Sequence, residues 1–412
     1  MRLPRFVRAL ALSALLLPAA VRAETEAELM ARATALHARI FSIDTHIDTP
    51  SLSLARPGWD ISARHDRATD ISQVDFPRMR DGGLKAGVFV VFVPQTPRTP
   101  EGYASSRDMA LRNFLRVHGV VARYPQECEL ALSAADGPRI MASGKRAIYL
   151  SVENGYAIGK DLTLLKTYHD LGARFFGIAH NGHTDLADAS MDPKPPEWGG
   201  VSPLGREAIA ECNRLGLLLD GSHASDDATR QLIALSKTPV LLTHSSCKAI
   251  NDHKRNVDDD LLRLLASSGG VIQMNTVSRF LVKTPANAEL DALVAKLVTR
   301  AAARGIKDDK VAEITRETYR LRWQQTKPRA TLADFLQHLF HAIDIAGAAH
   351  VGIGADMDGG GGVIGLEDVS DYPKITLALL RRGVSEDDVA KIWGGNVLRL
   401  LRAAEEFAKG AK

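Results

Sequence analysis

The chain has 412 residues, with 52 Lys and Arg against 49 Asp and Glu for a formal net charge of +3. No Lys/Arg run or basic patch points to nucleic acid or an anionic membrane. Three cysteines, Cys128, Cys212 and Cys247, allow at most one disulfide, which excludes a fold stapled by disulfides.

In chain order, the first segment reads as a leader. Arg2, Arg5 and Arg8 form a basic start, Ala9 to Val21 is a short apolar stretch broken by Pro18, and Val21-Arg22-Ala23 offers a cleavage site. This is the pattern of a secretory signal over residues 1–23. The apolar run falls short of the roughly 20 residues that a membrane span requires. Removing the segment takes four Arg (2, 5, 8, 22) and no acid, leaving 48 basic residues against 49 acidic ones. Residues 24–412 are expected to form a single exported domain, periplasmic or secreted. The polar end, Phe407-Ala-Lys-Gly-Ala-Lys412, offers no lipid-anchor tail, so no stable membrane anchor is expected.

Eight short apolar, β-branched runs then read as strands: Ile40–Asp44, Ala86–Val93, Arg146–Val152, Arg174–Ala179, Leu217–Asp220, Val240–Thr243, Val271–Asn275 and Val351–Ala355. Near-continuous apolar runs suit parallel strands buried on both faces. Amphipathic stretches such as Leu162–Leu171, Pro203–Leu215, Ser225–Ser236 and Asp258–Ser267 separate them. A βα unit repeated eight times predicts an α/β fold, a (β/α)8 TIM-type barrel. Between the seventh and eighth strands lie three helix-rich stretches, Ala286–Arg304, Asp309–Gln325 and Thr331–Ala346, where a barrel needs one. A helical insertion over about 284–330 is therefore expected. The glycine-rich segment Asp358–Ile364 reads as a mobile loop, and Asp371–Gly383 and Ser385–Lys409 as closing helices.

Candidate ligands gather at the C-terminal ends of these strands, where barrel enzymes place their active sites. They are Asp44-Thr-His46-Ile-Asp48, Glu153, His180, Asp220-Gly-Ser-His223, His244, and Asp356-Met-Asp358. In an extended segment His46 and Asp48 project to the same side and can reach one ion. Imidazole with carboxylate suits Zn²⁺, and Glu153, with two oxygens, can bridge two ions. A shared water between them would ionise near neutrality. A lone strand-end histidine is more often structural, and Glu153 could simply cap the next helix. Four of thirteen histidines converging on separate strand ends favours metal. The other nine read as helix or loop residues, His183 and His253 being the nearest to the site in sequence.

Several longer motifs resemble the membrane (renal-type) dipeptidase family, an amidohydrolase-like barrel, over nearly all of the mature chain. They include Ile43-Asp-Thr-His-Ile-Asp48, Gln73-Val-Asp-Phe-Pro-Arg-Met-Arg80, Leu219-Asp-Gly-Ser-His-Ala-Ser225, Val240-Leu-Leu-Thr-His-Ser-Ser246, Lys254-Arg-Asn-Val257 and Gly352-Ile-Gly-Ala-Asp-Met-Asp-Gly359. The resemblance implies two zinc ions per chain, bridged by Glu153 and a hydroxide. His46 and Asp48 would hold the first and His223 and His244 the second. It implies that His180 contacts substrate and stabilises the oxyanion, that Arg255 holds the substrate's C-terminal carboxylate, and that Asp356 shuttles the proton. Asp358 would support the ligands from behind. The substrate would be a dipeptide with a free carboxyl terminus, a D-residue being tolerated at the second position. With export, peptidoglycan-derived dipeptides fit, and a homodimer is left open. The chain departs from the pattern at Ala179-His-Asn-Gly-His183, where relatives usually have Thr-His, and at Asn275-Thr-Val-Ser-Arg279, which lacks an aromatic residue that some relatives carry. The rival readings are a deacetylase or lactonase on the same barrel, which need not clamp a carboxylate, and a silent binding protein, which would lack a ligand. A single-metal deaminase would be expected to show H-x-H at the first strand.

Overall fold

The structure, a computed structural model, describes residues 24–303 and 327–410, together with positions 314, 317, 318, 320, 321 and 325. The expected leader, 1–23, and most of the expected helix Asp309–Gln325 lie outside the described residues.

Nine strands form one parallel sheet: β1 (Ile43–Ile47), β2 (Ala86–Phe92), β3 (Cys128–Leu130), β4 (Arg146–Glu153), β5 (Ala173–Gly177), β6 (Leu218–Asp220), β7 (Leu241–Ser245), β8 (Val271–Met274) and β9 (Val351–Ile353). Eight follow the order β1-β2-β4-β5-β6-β7-β8-β9. Ile47 bridges Met357 just beyond β9, and Asp48 N donates to Met357 O at 2.9 Å, which brings the sheet back on itself. The fold is a (β/α)8 TIM-type barrel.

Three features differ from the sequence reading. β3 is an addition that pairs with β4 off the barrel path. Three residues, Cys-Glu-Leu, are too few to carry a periodic signal. β1 starts three residues later than predicted, because Ile40 closes the helix Glu26–Arg39 through its N–H to Leu36 O, 3.1 Å. The shift puts His46 inside the strand. The predicted final helix is broken: Glu386–Ala390 runs into a π-turn, Lys391–Gly395, before Asn396–Gly410. There Trp393 is fully buried and donates Nε1–H to Thr376 Oγ1 at 2.7 Å, and a Cβ on Gly394 would lie 2.5 Å from Phe41 O. An inserted residue in a helix lets both contacts form. Trp393→Ala should lower unfolding free energy by about 3–5 kcal/mol, the usual cost of emptying such a site. Denaturant titration measures this, and a loss below ~1 kcal/mol would mean that the junction collapses to fill the gap.

Side-chain polarity changes along the barrel axis, and this positions the site. The strand starts contribute Ile43, Val88, Tyr149, Phe175, Leu218, Leu241 and Val271 to one buried cluster, closed by Val397 and Leu401 of the last helix. That end is apolar plug. The strand ends carry the polar residues. Helices between strands start at side-chain caps: Ser202, Ser225 and Asp258 accept from Gly205 N, Ala228 N and Leu261 N. Thr331 and Asp334 form a capping box for Leu332–Ala346, the barrel helix expected before the last strand. From the insertion, helix Ala288–Ala303 is described, and its Leu290 and Val294 pack with Leu321. All three cysteines are buried and unbonded. Among the described residues no helix is long and apolar enough to cross a membrane.

Candidate metal centre

His46 lies in β1 with Asp48 just after it, Glu153 ends β4, and His244 lies in β7. His180, His223 and Asp356 each stand three residues past the ends of β5, β6 and β9. All seven side chains converge at the mouth of the barrel. Glu153 Oε1 is the hub, 3.6 Å from His46 Nε2, 3.0 Å from His223 Nε2 and 3.5 Å from His244 Nε2. His223 and His244 face each other through Nε2 atoms 2.9 Å apart. Asp48 Oδ2 is 3.4 Å from His46 Nε2. Donor atoms this close together, six of the seven on residues at most 7 % exposed and His180 half-buried, form the kind of set that a cation satisfies.

The grouping is richer than expected. Donor atoms come within 4.8 Å of one another in three sets: His46, Glu153, His244; Glu153, His180, His223; and His46, Asp48, Asp356. His180 and Asp356, expected to act on substrate and proton, thus also stand at ligand distance. Glu153 does not cap the turn that follows it. That role falls to Asn154, whose Oδ1 accepts from Tyr156 N at 3.2 Å.

Electrostatics follow from enclosing these groups. Burial raises the Glu153 carboxyl, His46 pulling it back and Asp48 and Asp356 adding to the rise. Burial likewise raises Asp356, opposed by His46, and pushes Asp358 up to about 6 against the pull of its hydrogen bonds. For His46, burial works downward but the charges of Glu153 and Asp48 overcome it, to about 10. Burial, followed by neighbouring cations, holds His223 and His244 far below their ordinary value and His180 at about 3. The neutral imidazoles of His180, His223 and His244, beside carboxylates crowded out of water, are what a divalent cation stabilises.

The supporting residues orient this set. Asp220 Oδ1 accepts from Ser222 N and Thr243 N at 2.9 Å each, and its Oδ2 accepts from Thr243 Oγ1 at 2.6 Å. Thr243 Oγ1 lies 2.9 Å from His244 Nδ1, which fixes that ring. Asp44 accepts from His46 N and Ala355 N, and from Tyr372 Oη. Asp358 accepts from Thr49 Oγ1 at 2.6 Å and from Gln73 N at 2.6 Å. Gln73, Asp220 and Asp44 lie in the motifs quoted above, but nothing in their local pattern showed these roles. Among the described residues the non-glycine positions with positive φ are Asn154, Asp356 and Asp358, all at the site. Such strain collects where function over-determines the backbone.

The segment after β9 is not the mobile loop expected. Gln73 Nε2 donates to Gly361 O at 3.0 Å and Thr276 Oγ1 accepts from Gly362 N at 2.6 Å. A Cβ on Gly359 would sit 2.0 Å from Asp356 Oδ1 and 2.1 Å from Asp48 Oδ2. Gly359 thus serves close packing against Asp356 and Asp48.

Arg255 is 2 % exposed and lies beneath the histidines. It donates through Nη1 to Ser222 O and through Nη2 to His244 O, the latter at 3.1 Å, while its buried Nε has no hydrogen-bond partner among the described residues. Burial lowers its ordinary value to about 10, against the pull of Asp356 and Glu153. The histidines read as structural behave so. His37 bridges Thr376 and Gly82 O, His338 bridges Cys247 N and Leu281 O, and His183 accepts from Ala189 N while facing Lys194 O and Pro195 O. Above the centre opens a cavity of about 780 Å³ whose far wall includes Val294, Ile314 and Thr318 of the insertion.

Residues 30–412 match the family model described as membrane dipeptidase, peptidase family M19. Dipeptidase aclJ from Aspergillus oryzae is 32% identical over 343 residues, covering 82% of this chain and 71% of that protein. The crystal structure of the probable dipeptidase PvdM from Pseudomonas aeruginosa superposes with a TM-score of 0.79 at 29% identity, over 93% of this chain and 100% of that one. A crystal structure of the metallopeptidase called dipeptidase AC gives a TM-score of 0.70 at 25% identity, over 89% and 98%. With a family match spanning nearly the whole chain and a donor set gathered on the barrel's catalytic face, the chain belongs to the membrane dipeptidase family, peptidase family M19, and is a metallo-dipeptidase.

Proposed function

We propose that this dipeptidase works with two zinc ions on dipeptides that have a free C-terminal carboxylate, accepting a D-residue at the second position. The observation that carries the reading is the convergence of three histidine Nε2 atoms on one Glu153 oxygen, with Asp48 alongside. His46, Asp48, Glu153, His223 and His244 would hold the ions. Bound there, a zinc pair supplies a water acidified to near neutrality and an electrophile for a carbonyl oxygen.

The chain's own residues do the rest. Asp356, raised toward neutrality by burial, takes the proton as the water oxygen bonds to the carbonyl carbon. It returns that proton to the amide nitrogen as the C–N bond breaks, leaving a carboxylate and an amine. His180, kept neutral in the cavity wall between Phe92 and His223, donates a hydrogen bond to the developing oxyanion. Arg255 keeps a buried, unsatisfied Nε–H that a substrate carboxylate would complete. The leader-like start supports export, and hence a periplasmic or secreted setting.

Zinc-loaded protein screened against a library with L,L and L,D dipeptides, N-acetyl amino acids and lactones tests the reading. Dipeptides should be cleaved and the others left intact. Faster turnover of acetyl amino acids or lactones would move the general amidohydrolase ahead. Elemental analysis should find close to two zinc equivalents per chain, and chelation should abolish activity until zinc is restored. Active protein with one ion or none would overturn the two-ion centre.

A further inference from the structure

We propose that Asp44 is a positioning residue, held by Tyr372, whose carboxylate sets His46 and Asp356 against each other across the seam where the barrel closes. The inference rests on the dipeptidase reading above, in which Asp356 carries the proton beside His46. It adds what keeps those two groups in register.

β9 and β1 close the barrel without forming a ladder. Among the described residues their bridge is the single pair Ile47–Met357. His46 stands on one side of this seam and Asp356 on the other, so no run of backbone pairing fixes their spacing.

Side chains fix it instead. Asp44 Oδ1 accepts from His46 N at 2.9 Å and from Ala355 N at 3.1 Å, and Asp44 Oδ2 accepts from Ala355 N at 3.3 Å. One carboxylate thus joins the amide of a candidate ligand to the amide just before Asp356. Thr45 Oγ1 reaches across the same seam, 3.3 Å from Ile353 O, and donates to Thr243 O at 2.7 Å. The strands approach closely here, for a Cβ on Gly354 would lie 2.6 Å from Thr45 Oγ1. On the far side, Ala355 O accepts from Thr276 Oγ1 at 2.5 Å and Asp356 O accepts from Gly361 N at 2.8 Å. Asp356 is therefore held from both sides in its left-handed conformation, φ 61°, with its carboxylate within 4.8 Å of the donor atoms of His46 and Asp48.

Tyr372 aims the carboxylate. Its Oη donates to Asp44 Oδ2, the oxygen that does not serve His46 N. The tyrosine is fully buried, and its ring centre lies 5.5 Å from that of Trp393, so packing fixes the direction of the hydroxyl. With Oδ2 held, the carboxylate cannot turn without breaking that bond, and Oδ1 stays on both amides. Neither Asp44 nor Tyr372 lines the cavity, so each acts on the reaction only through its neighbours. Reacting groups misplaced by about 1 Å lose on the order of a hundredfold in rate.

The test measures kcat, KM and thermal melting for zinc-loaded wild type, Tyr372→Phe, Asp44→Asn and Asp44→Ala. Hydrogen exchange of the stretch 351–358 is followed by mass spectrometry with and without zinc. Tyr372→Phe and Asp44→Ala should lower kcat by about ten- to a hundredfold with KM near the wild-type value, and exchange at Ala355 should quicken. Asp44→Asn should retain most of kcat, because its amide oxygen can accept from both N–H groups and its NH2 can donate to Tyr372 Oη. Lower melting with kcat unchanged would reduce both residues to packing and overturn the inference. An Asp44→Asn as slow as Asp44→Ala would overturn it too, since charge and not hydrogen-bond geometry would then matter. A rise in KM in place of a fall in kcat is the third contrary result. If Asp44→Ala does not fold, Tyr372→Phe and Asp44→Asn decide. No cleavage of any free dipeptide by wild type overturns the dipeptidase reading, and exchange then decides the seam by itself. Exchange at Ala355 left unaltered by Tyr372→Phe overturns the inference whatever the substrate.

Discussion

Asp356→Asn should lower kcat by about 10²–10⁴-fold, the range associated with losing a positioned proton carrier. The amide keeps the shape and one oxygen of the carboxyl group, but it cannot take a proton from water and pass it to an amine. The side chain is buried at a backbone position held at φ 61° and faces His46 and Asp48. The variant should therefore fold and keep KM near the wild-type value. Metal content measured on the same sample separates two roles. Two zinc equivalents with collapsed turnover mark Asp356 as the proton carrier. Loss of one equivalent would make it chiefly a ligand, as its closeness to His46 and Asp48 allows. Turnover near wild type with both ions retained would pass the proton role to Asp358 or to a water, and the role of Asp356 above would be wrong.

Arg255→Met should reduce kcat/KM on free dipeptides by a factor on the order of 30 to several thousand. Leaving a substrate carboxylate unpaired in a closed site costs about 2–5 kcal/mol, at roughly 1.4 kcal/mol per tenfold. The substitution also removes the hydrogen bonds to Ser222 O and His244 O, at His244 and beside His223, two of the candidate ligands. Substrate modification isolates the clamp from that structural part. Amidating the dipeptide's C-terminus should damage wild-type turnover about as much as the mutation does. It should add little further damage in Arg255→Met, because the same contact is already missing. Equal wild-type cleavage of free and amidated dipeptides would leave Arg255 as a scaffold residue and remove the terminal-carboxylate requirement. If the amidated substrate fails in wild type while Arg255→Met still discriminates, another cation holds the carboxylate.

Much of the architecture was legible without coordinates because its signals are local. Runs such as Ala86–Phe92 and Ala147–Leu150 are apolar along their length, since a strand inside a barrel is covered on both faces. His46, Glu153, His180, His223, His244 and Asp356 could be singled out because each follows or ends such a run, and barrel geometry sends those ends to one mouth. What resisted the reading was short or dependent on distant partners. β3 has three residues, and the glycines after Asp358 look like a flexible turn until Gln73 and Thr276 are seen to hold them. The break at Lys391–Gly395 follows from Phe41 and Thr376, which meet that turn only in the folded chain.

The sequence by itself determined the eightfold βα order, the polar strand ends and the histidines and carboxylates that stand there as candidate ligands, all of which arise from neighbours within a few positions. Only the tertiary structure decided which lone pairs share a point. It drew His180 and Asp356 to ligand distance, turned Arg255 onto two backbone carbonyls, and set the Asp44 carboxylate across the seam between β1 and β9. The physical reason is that a side chain's direction is fixed by packing and hydrogen bonds to residues remote in the chain, and no local pattern records those contacts.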